Sequence, residues 1–223
     1  MHQNVIFTAD NNFNIPLYLF PIFTFQRYKL MNDFWLWFTT GLYHILNWHG
    51  YDHICYIVCL TVVFSLQQWR QLLVLVTAFT LGHSLTLALS TLDIISPPHK
   101  LIECLIPITI LSTCVYNMYS FNKKLKSLTF NYSMALCFGF IHGMGFSYLL
   151  KSLLGKENSI VLPLLSFNMG LEVGQLLIIA AVIFISLILE SFFKVAKKNY
   201  VFFVSSAVFG VALLLLIEQL KLN

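Results

Sequence analysis

The stretch that decides the fold is QLLVLVTAFTLGHSLTLALSTL, residues 71–92, which contains no Asp, Glu, Lys or Arg. About 20 predominantly apolar residues are enough for an α-helix to cross the hydrocarbon core of a bilayer. Other windows without these four residue types are 34–51, 53–69, 104–122, 127–150, 158–171, 173–189 and 199–217. The pattern predicts an all-α protein, a polytopic membrane helix bundle.

The composition of the chain supports this prediction. Hydrophobic residues make up 58% of the 223 residues and charged residues 10%, whereas soluble domains carry roughly 25% charged residues. The mean hydropathy is +0.79, and the net charge of +4 is small. This composition excludes a disordered chain and a secreted disulfide scaffold. We therefore expect membrane lipids as partners and no nucleic acid.

Single carboxylates, Asp52 and Glu172, interrupt two pairs of windows. Reading across them predicts six transmembrane helices, at about 52–69, 71–93, 101–121, 131–153, 159–190 and 200–220. The aromatic stretch 34–48 is short for a span and rich in Trp and Tyr, which favour the membrane interface. We expect an interfacial or re-entrant helix there, with a complete seventh span as the alternative.

The first 30 residues differ in character from the rest. Pro16 and Pro21 argue against one continuous helix, and no basic segment precedes an apolar one as in a signal peptide. Met31 stands directly before the aromatic stretch. We therefore expect residues 1–30 to be an N-terminal extension and residues 31–223 to form a single membrane-embedded helical domain.

Lysines predict the orientation, because basic residues concentrate in cytoplasmic loops. Two lysine groups are separated by two predicted spans and can both face the cytoplasm: Lys123, Lys124 and Lys126, and Lys194, Lys197 and Lys198. The segment 44–53 then faces outside.

The five cysteines, Cys55, Cys59, Cys104, Cys114 and Cys137, all lie in apolar windows, and no CxxC occurs. They are predicted to be small packing residues. Soft metal ligation by Cys55 and Cys59 is the alternative.

Ionisable side chains inside a membrane are costly and suggest function. The first cluster lies in HILNWHGYDH, residues 44–53, and comprises His44, His49, Asp52 and His53. Imidazoles and a carboxylate at this density suit a transition metal. The alternative is a solvated cluster at a helix start, with Asp52 as the N-cap.

Further intramembrane residues lie on other predicted spans. His83 stands in FTLGHSLT (79–86) and His142 in FGFIHGMG (138–145), while Glu172 shares one helix face with Asn168 and Gln175. A single site inside the bundle accounts for this placement better than independent structural roles do. The predicted metal ligands are His44, His49, Asp52, His53, His83, His142 and Glu172. Supporting polar residues are Thr80, Ser84, Glu103, Asn117, Asn168 and Gln175. The predicted ion is a divalent transition metal, such as nickel, cobalt or zinc, as substrate or bound ion.

These motifs carry a resemblance to a known family. In the stretches 41–53, 79–86, 103–109, 138–146 and 167–175, the chain resembles the HupE/UreJ hydrogenase and urease accessory membrane proteins. The closest likeness is to a shorter branch from Bacteroidetes-type bacteria. The resemblance covers Met31 to about Glu218.

The resemblance implies a multi-pass protein of the bacterial inner membrane with nickel or cobalt permease activity. It also implies metalloenzyme maturation proteins as partners. His44, Asp52 and His53 match the family's signature, but the usual spacing is shorter. Because Trp48 and His49 lengthen it here, either His44 or His49 can hold the first place.

Two functions therefore stand side by side. The first is a metal permease. The second is an intramembrane metal-dependent enzyme or accessory factor acting on a lipid or membrane substrate. The chain has no HExxH, no GxSxG and no dense set of histidine boxes. We therefore favour a transporter over an enzyme.

Overall fold

A computed structural model describes residues 20–47, 50–120, 128–154 and 159–221. Every regular element in these ranges is helical, which confirms the all-α prediction. The α-helices are α1 (Phe20–Leu46), α2 (Tyr51–Thr61), α3 (Trp69–Thr91), α4 (His99–Ser120), α5 (Leu128–Leu154), α6 (Val161–Ser191) and α7 (Lys197–Lys221). A 3₁₀ turn at Leu66–Gln68 precedes α3.

Five helices in the described ranges, α3 to α7, are long and apolar enough to cross a membrane. They correspond to the last five predicted spans. Pro97 and Pro98 lie between α3 and α4, where a residue that cannot continue a helix is expected. The hydropathy windows therefore located these spans correctly.

The first predicted span, 52–69, is shorter than expected. Helix α2 has 11 residues, which is about 16 Å at 1.5 Å per residue. The chain then reaches Ser65, whose backbone is extended and whose N–H donates to Gln68 Oε1 at 3.1 Å. The Ser65 side chain in turn faces the backbone of Gln68. These two contacts form a capping box, which starts a new helix. The polypeptide therefore turns into α3 instead of prolonging α2.

Helix α1 contains most of the aromatic stretch 34–48. It has 27 residues and passes through Met31 without a break. Trp37 and Ile45 are buried, so the C-terminal part of α1 lies inside the bundle. The division of the chain at Met31 stays a prediction.

Helix α1 packs closely on α6, and the two run in the same direction. Gly170 lies against Phe38 and Leu42, and Gly174 lies against Leu42 and Ile45. A residue further towards the C-terminus of α6 thus contacts residues further towards the C-terminus of α1, as in parallel helices. A Cβ atom on Gly170 would collide with the Phe38 carbonyl oxygen, so glycine is what permits this backbone approach.

Helix α2 continues in the direction of α1. It starts directly after α1, and the chain beyond its end is held beside the C-terminal end of α6. There the Lys197 ammonium donates to the carbonyl oxygen of Phe64 at 2.8 Å and lies 3.1 Å from Glu190 Oε1. Helices α1 and α2 are thus two parts of one interrupted passage; α1 ends at Leu46 and α2 begins at Tyr51. Interrupted helices of this kind are tolerated at membrane depth where they border a cavity.

Replacing Lys197 with methionine should destabilise the fold, because Glu190 and the Phe64 carbonyl lose their shared partner. A hydrogen bond to a charged group contributes about 1.5–3 kcal/mol, and the partial exposure of Lys197 puts the expected loss at the lower end. Thermal unfolding in detergent measures it. Lys198→Met, at an exposed neighbouring position, is the matched control, and equal midpoints for both variants would contradict the prediction.

Candidate metal centre

Four histidines from four helices meet inside the bundle. His44 comes from the end of α1, His53 from the start of α2, His83 from α3 and His142 from α5. The ring centroids are 4.7 Å apart for His44 and His53 and 4.9 Å apart for His53 and His142. His83 lies 6.2 Å from His44 and 6.3 Å from His53. With Asp52, these four residues form what we call the histidine cluster.

The ligand atoms of the cluster fall into two overlapping groups. His44, His53 and His83 form one, and Asp52, His53 and His142 form the other. Within each group one ligand atom from every residue lies within 4.8 Å of the others. His53 belongs to both groups, so it occupies the centre of the cluster.

Local structure explains how each side chain reaches the cluster. His44 lies near the end of α1 and His53 near the start of α2, and their two rings face each other. His83 and His142 are brought together by the contact of α3 with α5. In that contact Gly139 lies against the backbone of Phe79 and His83, and Gly143 lies against the His83 carbonyl.

Hydrogen bonds orient two of the imidazoles. His53 Nδ1 lies 3.1 Å from Asp52 Oδ1, and His142 Nδ1 lies 2.9 Å from the Phe138 carbonyl oxygen. An acceptor on Nδ1 places the proton there and leaves the Nε2 lone pair free, as in metal-ligating histidines.

Five other imidazole nitrogens of the cluster are buried without a hydrogen-bond partner among the described residues. This holds for Nε2 of His44, His53 and His142 and for both ring nitrogens of His83. Burying polar atoms without hydrogen bonds is costly. A metal ion at the cluster would provide the missing partner, so the arrangement fits a ligand set more closely than a packed core.

Aromatic rings surround the cluster. Phe146 approaches His44 with a centroid distance of 3.9 Å, Tyr56 lies 5.6 Å from His142, and Phe79 lies 6.1 Å from His83. Phe167 is fully buried against His44 and His83. An apolar shell of this kind limits water access and strengthens interactions with an ion.

A cavity of about 320 Å³, the outer cavity, reaches the cluster from one end of the bundle. His44, Asp52, His53 and His142 line its inner part, and residues from the start of α4 and the end of α7 line its mouth. His99 and Glu103 lie at this mouth, with His99 Nδ1 3.2 Å from Glu103 Oε1. The sequence predicts a supporting role for Glu103 but none for His99, although the two residues have the i, i+4 spacing that brings side chains together on a helix.

Glu172 is not brought into the cluster. It is half-buried on α6 and accepts a hydrogen bond from Thr77 Oγ1 at 3.2 Å. Its neighbour on the same face, Gln175, accepts from Thr80 Oγ1 at 2.8 Å. These two contacts join α6 to α3.

The other predicted supporting residues also lie apart from the cluster. Asn168 Nδ2 donates to the Leu164 carbonyl at 2.7 Å, and Ser84 Oγ donates to the Thr80 carbonyl at 2.6 Å. Asn117 contacts α2 below the cluster. His49 lies outside the described residues, so its predicted role as a ligand stays a prediction.

Comparison with known proteins gives one match. A family model described as HupE / UreJ protein matches residues 23–219. No curated protein and no solved structure matches the chain. The family match covers most of the sequence and includes every residue of the histidine cluster. Together with the five membrane-capable helices, it shows that the chain is a membrane protein of the HupE/UreJ family.

Proposed function

We propose that the protein is a permease for a divalent transition-metal ion, such as nickel, cobalt or zinc, in the bacterial inner membrane. The observation that carries the proposal is the histidine cluster at the inner end of a cavity. Imidazole and carboxylate ligands together suit borderline transition metals. The family name supports the same direction, since hydrogenase and urease accessory proteins handle nickel.

The two overlapping ligand groups suggest how an ion moves. Asp52, His53 and His142 all line the outer cavity, whereas His83 does not. An ion arriving from the cavity would meet the Asp52 group first. Because His53 also belongs to the His44 and His83 group, the ion can pass inwards without losing all its ligands. Transport needs sites that bind well enough to select and weakly enough to release.

On this proposal the ion would be cargo and not a resident cofactor. Metalloenzyme maturation proteins on the cytoplasmic side would be the recipients. The positive-inside prediction places the outer cavity away from the cytoplasm, which suits uptake. The direction and the partners are part of the proposal.

The first test compares cells that express the protein with empty-vector cells for accumulation of radioactive nickel, cobalt and zinc. The Asp52→Asn substitution keeps the size of the side chain but removes the charge that orients His53. We expect uptake to fall by about 10–100-fold, the range for loss of a group that orients a metal ligand. Asp93→Asn is the matched control, since Asp93 is exposed and pairs with Lys151 outside the cluster.

Accumulation equal to that of empty-vector cells for all three ions would contradict the permease. A stoichiometric ion that copurifies with the protein, without transport, would then favour the intramembrane metalloenzyme. That enzyme would use the same ligands to activate water. Proteoliposomes loaded with a metal-sensitive dye separate these two outcomes on purified protein.

A further inference from the structure

Two cysteine thiols meet below the histidine cluster. Cys59 Sγ of α2 lies 3.2 Å from Cys114 Sγ of α4, and both side chains are fully buried. Both thiols are free. We call these two residues the thiol pair. A thiolate is a soft ligand and prefers soft or borderline cations.

The thiol pair lies further along the interrupted passage. Cys59 follows His53 by six residues, or about 9 Å of helix at 1.5 Å per residue. Tyr56, which stands between them on α2, contacts His142 of the cluster. The thiol pair is therefore a set of metal-binding atoms that lies further along α2 than the cluster.

A second cavity begins beside the thiol pair. This inner cavity has a volume of about 30 Å³ and is lined by Leu60, Thr113 and Asn117, which neighbour Cys59 and Cys114. On α4, Ile106 and Pro107 line the outer cavity. On α4, Cys114 therefore lies at the level of the inner cavity, about two helical turns beyond Pro107.

Other polar groups lie close to the thiol pair. The Ser205 hydroxyl of α7 lies beside the Cys59 thiol. Its side chain is fully buried. Asn117 Nδ2 donates to the Cys59 carbonyl at 2.7 Å. Two thiols and a hydroxyl thus form a polar patch inside an apolar core, where polar groups are costly unless they have partners.

We infer that Cys59 and Cys114 form a second metal-binding station, for a borderline or soft divalent cation, beyond the histidine cluster and beside the inner cavity. This inference rests on the proposed cation transport. Two metal–sulfur bonds form, and each thiol loses its proton, so one bound divalent ion releases two protons. The station has two sulfur ligands, whereas a closed structural site has four. Fewer ligands hold the ion less tightly, which suits a site that must release it.

The test uses cobalt chloride and purified, fully reduced protein under an inert atmosphere. Cobalt bound by thiolates gives a sulfur-to-metal charge-transfer band in the near ultraviolet, whereas imidazole ligands do not. We expect this band in the wild-type protein and its loss in Cys59→Ser and Cys114→Ser. His53→Ala should retain the band, because it alters the cluster alone.

Cys137→Ser is the matched control, since Cys137 is an exposed thiol on α5, and its band should equal that of the wild type. If the Cys59 and Cys114 variants fail to fold, a variant with Cys55, Cys104 and Cys137 all replaced by serine provides a second test. The thiol pair is then the only source of thiolate in the chain, and this variant should keep the band.

The outcomes separate this inference from the proposed function. A wild-type protein without the charge-transfer band, or loss of the band when Cys55, Cys104 and Cys137 are replaced together, overturns the second station even if uptake is normal. Presence of the band and its selective loss in the two cysteine variants support the station, even if cells accumulate no metal and the permease is abandoned.

Discussion

The His53→Ala protein is expected to bind nickel and cobalt at least about 100-fold more weakly than the wild type, the upper range for loss of a ligand-orienting group. His53 is shared by both ligand groups, so its removal leaves neither group complete. Asp52 also loses its imidazole partner. Isothermal titration calorimetry on purified protein measures the affinity, and radioactive uptake should be lost in parallel.

His99→Ala provides the control for a lost histidine. His99 lies at the mouth of the outer cavity and interacts with Glu103, so affinity at the cluster should stay close to that of the wild type. Equal affinities for His53→Ala and the wild type would contradict the cluster as the binding site. Equal thermal midpoints for the two variants would show that any difference arises from ligation and not from unfolding.

The cost of ionisable groups in apolar windows was enough to predict most of the cluster. His53, His83 and His142 were grouped from sequence because a membrane span has no cheap place for them. The same reasoning placed Glu172 with them, yet the structure pairs it with Thr77. A hydroxyl on a neighbouring helix satisfies part of a carboxylate's hydrogen bonding, and sequence spacing does not tell which helix that face meets.

Helix ends were harder to predict than helix existence. The window 53–69 is uncharged, so hydropathy alone extends α2 through Ser65, where capping contacts in fact start the next helix. Pro21 was counted against a helix, but it stands in the first turn of α1, where no N–H is needed. Both differences arise from hydrogen bonds at helix ends, which an average over apolar residues does not register.

The outer cavity and the thiol pair depend on contacts between distant parts of the chain. Cys59 and Cys114 are separated by 55 positions, and their meeting follows from the packing of α2 on α4. No local pattern predicts it. Likewise, the role of His99 at the cavity mouth requires knowing that the start of α4 lies opposite the end of α7.

A glycine substitution at the contact of α3 and α5 should lower both the stability of the fold and the affinity for metal. In Gly139→Ala the new Cβ would collide with the Phe79 carbonyl oxygen and crowd the His83 backbone. Because the obstacle is backbone, the helices must move apart, and overpacking of this kind typically costs about 1–3 kcal/mol, occasionally more. His83 and His142 would separate with them. We expect a lower thermal midpoint and weaker metal binding.

Gly210→Ala is the control for Gly139→Ala, because the two variants should shift the thermal midpoint in different directions. Gly210 lies within α7, and a Cβ atom there meets nothing within 4 Å. In a helix interior alanine is favoured over glycine by about 0.8–1.0 kcal/mol, so Gly210→Ala should leave the midpoint unchanged or raise it. Helix propensity alone would predict the same increase for Gly139→Ala. Opposite shifts for the two variants therefore measure the close approach of α3 and α5, and shifts of the same sign would show that this approach does not hold His83 beside His142.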